Sequence, residues 1–125
     1  MDFNPNKAIY LQIVDHICEN ILLGTWPIDS KLPSVRELAI EIAVNPNTVM
    51  RTYDFLQQQG IISNKRGVGF FVTTDSFSQI KRYKKEVFVK EDLPQVFKNI
   101  YLLDISLEEL KERYDAFINE NYKSN

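Results

Sequence analysis

The chain has 125 residues, a formal net charge of −2 and a single cysteine, Cys18. That length holds one domain, or one domain with an appendage, and 44% hydrophobic residues can build a core, which excludes a disordered segment. One cysteine excludes a disulfide framework and a cysteine-based zinc site, and no run approaches the ~18 apolar residues of a membrane span, so a cytoplasmic location is expected.

Residues 1–6 are polar and expected to be loose. Residues 7–23 carry Ile9, Ile13, Ile17 and Ile21 on one stripe, widened by Tyr10, Val14 and Cys18, and predict a helix that Gly24 stops. Cys18 on that apolar face is read as a small buried hydrophobe. His16 stands beside Asp15, but no second His, Cys or carboxylate falls at a ligand spacing, so no metal and no cofactor is expected. Trp26-Pro27-Ile28-Asp29 reads as a connector whose Trp26 plugs the core.

Ser34 and Glu37 form a capping box, which predicts a helix from Val35, with Val35, Leu38, Ala39 and Ile42 on its buried face. Arg36 falls in the first turn on the other side. A cation there opposes the helix dipole, so a nearby anion such as a phosphate is expected. Asn45 is a good N-cap and Pro46 suits the first position of a second helix. Val49, Tyr53 and Leu56 then point inward with Thr52 beside them, and Gly60 closes the helix. Asn47, Thr48, Met50 and Arg51 are left outward, an amide, a hydroxyl and a guanidinium among them, the groups that read base edges or hold phosphates.

Residues 61–64 and 70–74 read as two strands joined by Lys65-Arg66-Gly67-Val68-Gly69. The glycines permit a tight turn, and the cations at its tip fit a phosphate or minor-groove contact. Two short helices, a tight turn and a hairpin make a helix-turn-helix with a wing, a form that puts one helix end into a DNA groove.

These residues resemble the DNA-binding domain of the GntR family of bacterial transcription regulators. The matching pieces are Tyr10-Leu11-Gln12-Ile13, Gly24, Leu32-Pro33-Ser34-Val35-Arg36-Glu37-Leu38-Ala39, Asn47-Thr48-Val49, Tyr53-x-x-Leu56, Gly60-Ile61 and Gly67-x-Gly69-x-x-Val72, spread over residues 8–74. Asn45-Pro46-Asn47-Thr48-Val49, with the short remaining tail, is most similar to the YtrA-type subfamily. The resemblance implies a transcription regulator, a repressor in the first instance, on a double-stranded DNA operator. Asn45-Pro46 stands where the family commonly has Ser-Arg, so affinity falls more heavily on Arg36, Arg51, Lys65 and Arg66. The expected DNA-binding set is Ser34, Arg36, Asn45, Asn47, Thr48, Arg51, Lys65, Arg66, Gly67 and Gly69.

The charge runs against this reading, because DNA-binding domains are usually basic. Residues 1–74 hold six Lys or Arg against seven Asp or Glu, a net of −1. Four of those six cations lie in the proposed DNA surface, while Asp2, Asp15, Glu19 and Asp29 precede it.

After Thr74 the composition changes, so residues 1–74 are read as the DNA-binding domain and 75–125 as a helical dimerisation region. Asp75-Ser76 caps a helix, and Pro94 is expected to kink or interrupt it, since a mid-helix proline costs ~3 kcal/mol. Ser106 and Glu109 form a second capping box for a last helix, and Lys123-Ser124-Asn125 is expected to fray. The tail is too apolar to lie in water and too short for its own core. A second copy is the simplest partner, which makes Phe77, Ile80, Phe88, Phe97, Ile100, Leu110, Tyr114 and Phe117 the candidate dimer face and the operator an inverted repeat. The alternative is a tail folded back on its own wing domain. The run Lys81-Arg82-Tyr83-Lys84-Lys85 is either a phosphate contact or a solvated helix face.

The fold expected is mainly α with a small β-hairpin, a winged helix-turn-helix followed by a short helical dimerisation tail. No enzyme is expected. There is no Gly-x-Ser-x-Gly, no His-Glu-x-x-His and no phosphate loop, and Gly67-x-Gly69-x-x-Val72 lacks the third glycine of a dinucleotide fingerprint. A winged-helix protein–protein module is the rival function, and the polar, cationic second helix favours DNA over it. No sequence feature identifies a small-molecule effector.

Overall fold

Helix α1 (Ile9–Leu22) buries Ile13, Val14, Ile17, Cys18 and Ile21 as one face. The i, i+4 isoleucine stripe dictates this, and only Ile9 at its start stays exposed. In this computed structural model residues 1–123 are described; Ser124 and Asn125, part of the expected frayed end, lie outside the described residues. The described residues divide into two compact units, 1–84 and the segment from residue 85 onward.

In the first unit α1 is followed by α2 (Val35–Glu41) and α3 (Pro46–Gln58), then by strands β1 (Ile62–Lys65) and β2 (Gly69–Val72). The capping box at α2 is complete: Ser34 Oγ accepts from the Glu37 amide at 3.1 Å, and Glu37 Oε1 accepts from the Ser34 amide at 3.1 Å. Those bonds hold the Glu37 carboxyl below the ordinary glutamate range, and Lys31 lowers it further. Asn45 caps α3 by accepting from the Asn47 amide at 2.8 Å. Gly60, at φ +75°, ends α3 in a Schellman motif: its amide bonds Gln57 and the Ile61 amide bonds Leu56, both at 3.0 Å.

The core closes around Val49, Tyr53 and Leu56 of α3, Leu38 and Ala39 of α2, the α1 stripe, and Ile61, Ile62 and Val72 of the hairpin. Fully buried Thr52 donates to the carbonyl of Tyr10 at 3.0 Å and to its own helix at Thr48, which fastens α3 to α1. Burial pushes the Cys18 thiol up to about 11, against an opposing Lys84, so it stays protonated at neutral pH.

Antiparallel β1 and β2 pair Ile62 with Val72 and Lys65 with Gly69, leaving a three-residue tip. A further segment, residues 29–32, lies on the outer edge of β2. The Leu32 amide bonds Phe70 at 2.8 Å, the Val72 amide bonds Ser30 at 3.0 Å, and Lys31 bridges Phe71. The connector expected around Trp26 therefore also delivers a third strand-like edge to the wing.

Helix α4 (Ser76–Val87) begins in this unit. Its Ile80 is fully buried in the same core, which corrects its place on the expected dimer face: the i, i+4 pair Ser76 and Ile80 packs inward. The first compact unit thus extends past Thr74. Lys84 pairs with Asp15 at 3.1 Å, Lys7 pairs with the same carboxylate, and Tyr83 packs edge-on to Phe55 at 5.1 Å.

In the second unit a π-helical turn (Phe88–Asp92) runs without a break into α5 (Leu93–Leu102). Pro94 has no N–H and crowds the preceding turn. The chain absorbs it by widening, with the Leu93 amide reaching back to Phe88. Helix α6 (Leu107–Asn121) starts at Ser106, whose hydroxyl accepts from the Glu109 amide at 3.1 Å. The Glu109 carboxylate does not complete the expected box. It accepts from Arg113 Nε at 2.8 Å, one turn on. No residue of α5 or α6 is buried.

Candidate nucleic-acid interface

Helix α3 presents Asn47, Thr48 and Arg51 from its first two turns, with Asn47 and Arg51 exposed and Thr48 half-buried. They lie together, lining one shallow depression with Ala8, Ile9 and Tyr10 from the start of α1. The Arg51 guanidinium lies over the Tyr10 ring, its central carbon 3.9 Å from the ring centre. A cation held over a ring face by its carbon keeps N–H donors on the side away from the ring, which suits a bidentate contact to guanine. Asn45 is occupied as the helix cap, so what it supplies is the orientation of the amides that follow.

Ser34 and Arg36 sit at the start of α2, both exposed, and do not line that depression. The Ser34 oxygen is engaged in the capping box, so only its O–H is left to donate outward. Arg36 lies beside the ionised Glu37 in the first turn.

The wing has two distinct faces. Ile62, Val72 and Phe70 face the core, and Phe70 meets Tyr53 edge-on at 5.0 Å. Ser63, Lys65, Gly69 and Phe71 take the other face by strand alternation. There the Lys65 ammonium lies 4.1 Å from the centre of the Phe71 ring. Lys31, opposite Phe71, runs across Gly69: a Cβ added at Gly69 would stand 2.7 Å from Lys31 Cε. The face therefore carries two lysines around one aromatic ring, with Arg66 and Gly67 exposed at the tip. Lys31 was absent from the residues expected on the DNA side. Its signal is the long-range pairing of residues 29–32 with β2, which no local spacing announces.

The remaining dimer candidates are exposed or half-buried. Phe77 is exposed in the first unit; in the second, Phe88, Phe97, Leu110, Tyr114 and Phe117 are exposed and Ile100 is half-buried. Among the described residues no group of three or more His, Cys, Asp or Glu is placed to hold a metal ion, and no helix is long and apolar enough to cross a membrane.

Residues 9–72 match the sequence model of the bacterial regulatory proteins, gntR family. The chain is 36% identical over 112 residues to the HTH-type transcriptional repressor YtrA of Bacillus subtilis, a span of 90% of this chain and 85% of that one. It is 36% identical over 115 residues to YhcF of the same organism, an uncharacterised HTH-type transcriptional regulator, covering 92% and 93% of the two chains. Among solved structures, a GntR-family protein from Bacteroides thetaiotaomicron superposes with a TM-score of 0.79 at 47% identity, over 90% of this chain and 98% of that one.

Proposed function

The chain belongs to the GntR family of bacterial regulatory proteins, in its YtrA-type branch, and from that premise we propose that it represses transcription by binding an inverted-repeat operator as a homodimer. The observation that carries the DNA reading is the grouping of Asn47, Thr48 and Arg51 at the exposed start of α3. Each good bidentate contact to a base edge is worth ~1–3 kcal/mol of discrimination. Arg36, Lys65, Arg66 and Lys31 anchor phosphates, and Ser34 adds a neutral donor. Gly67 and Gly69 shape the wing. The similarity to the repressor YtrA supports the sign of regulation.

The unburied tail supports the pairing. Residues 1–74 carry the DNA surface and 75–125 join two copies, with Ile80 excepted. Phe88, Phe97, Tyr114 and Phe117 are each about half exposed or more. Burying a large apolar side chain contributes ~1.5–3 kcal/mol, so a few of them sheltered between two copies hold a stable pair. Two-fold symmetry sets half-sites about one helical turn (~10 bp) apart. Each acidic domain grips a half-site weakly, and joining two raises the effective concentration of the second. Membership of a family of bacterial regulatory proteins supports a cytoplasmic location.

A gel shift on the promoter of the chain's own operon, with unrelated duplex as competitor, tests the DNA reading. Selective retention is expected, and equal loss to both duplexes contradicts it. Light scattering at micromolar concentration tests the pairing: a mass of twice 14.6 kDa is expected, and a clean 14.6 kDa monomer contradicts it.

A further inference from the structure

Tyr10 stands at the start of α1, yet three contacts fix it to α3. Its carbonyl accepts from Thr52 Oγ1 at 3.0 Å. Its ring meets Phe55 in a T-shape with centroids 6.3 Å apart. Its face carries the Arg51 guanidinium at 3.9 Å. Thr52 is fully buried and Phe55 packs against the core, so the ring is held from inside while it carries an exposed cation outside. The same ring lines the depression formed by Asn47, Thr48 and Arg51.

We infer that Tyr10 is a positioning residue for base readout, holding the Arg51 guanidinium so that its edge donors meet one base. The inference rests on Arg51 being a base contact, as proposed above. An arginine free on a helix surface samples many rotamers, and a phosphate satisfies it as readily as a guanine. The contact with the ring narrows that choice. The π face of Tyr10 seats the cation at one place over the ring, and its N–H donors reach the DNA from there. Loss of the ring converts Arg51 from a base contact into an indiscriminate phosphate contact. The signature is a loss of sequence preference at one position with much of the overall affinity kept. A merely structural residue would lower binding to every sequence alike.

The test is selection of binding sites from a randomised DNA duplex pool by the full chain and by single variants, with folding confirmed by circular dichroism. Arg51→Ala is expected to flatten one base position in each half-site by roughly ten- to hundred-fold. Tyr10→Leu and Tyr10→Met, which keep apolar bulk but remove the ring, are expected to flatten that same position and leave the others. Tyr10→Phe is expected to keep the motif. If Arg51→Ala flattens a position and neither ring-less variant does, Tyr10 does not position the arginine and the DNA reading stands. If the ring-less variants weaken all positions equally, or Tyr10→Phe behaves as they do, the inference is overturned. An unchanged motif in Arg51→Ala overturns it together with the role given to Arg51. Enrichment of no sequence by the natural chain overturns the DNA reading itself.

Discussion

The Tyr53 hydroxyl donates to the Pro33 carbonyl at 2.6 Å, tying the middle of α3 to the chain just ahead of α2. Tyr53 is fully buried, and burial, with Glu37 and Glu41 adding to it, raises its pKa, so the group remains a neutral donor wherever the protein is folded. The bond ties α3 to the segment that leads into α2. Tyr53→Phe keeps the ring packed on Phe70 but strands the carbonyl. We expect a loss of about 1–2 kcal/mol, seen as a lower urea midpoint at unchanged slope. No change in midpoint would show the bond to be energetically idle.

The turn of the helix-turn-helix carries a strained residue. Ala43 has φ +55° and occupies the C′ position of α2, where its amide bonds Ile40 and the Val44 amide bonds Ala39. A Cβ in that region costs roughly 1–2 kcal/mol, and glycine avoids it at some entropic cost in the unfolded chain. Ala43→Gly is therefore expected to raise stability by about 0.5–1 kcal/mol, measured by thermal or urea unfolding. A destabilised variant would contradict the cap geometry.

At the wing, Gly69 has φ +143° and faces the Lys31 side chain. Gly69→Ala meets both a backbone strain of about 1–3 kcal/mol and a displaced lysine. Lys31 is flexible and can move, so the backbone term dominates. The variant is expected to lose about the same stability in a Lys31→Ala background. Recovery of stability in the double variant would place the cost in the side-chain clash instead.

The capping box makes α2 sensitive to acid. Glu37 titrates below its ordinary value of 4.5 in the folded chain, because Ser34 holds it by two hydrogen bonds. A depressed folded-state pKa contributes stability above the unfolded value and loses it as pH falls through the folded one. Stability should therefore decline as pH drops below about 4.5. Glu37→Gln, which caps without titrating, should show a shallower decline. Identical acid profiles for the two proteins would remove Glu37 from the cap.

What was legible in the sequence was what is local. Ser34 with Glu37, Asn45 with Pro46, and Gly60 announce their helix ends within a few residues, and the structure puts the ends there. The mainly helical winged fold follows from those marks and from the apolar stripes. Long-range pairings were not legible. Nothing near Lys31 tells that residues 29–32 will lie along β2, and nothing near Arg51 tells that its guanidinium will rest on Tyr10. The spacing that placed Ile80 on an apolar face was right, but helical spacing does not say which partner a face meets. At Ser106 the expected capping box is only half made, because the Glu109 carboxylate accepts from Arg113 instead. Pro94 is expected to kink or interrupt its helix, and the α-helical run does give way just ahead of it, to a π-helical turn over Phe88–Asp92.

Hydroxyl-radical footprinting of the full chain, on the duplex it enriches from a randomised pool, shows whether two copies read one inverted repeat. Two protected patches related by two-fold symmetry are expected, their centres about 10 bp apart, with both lost in Asn47→Ala/Arg51→Ala. A single patch, or two in direct rather than inverted orientation, would contradict it.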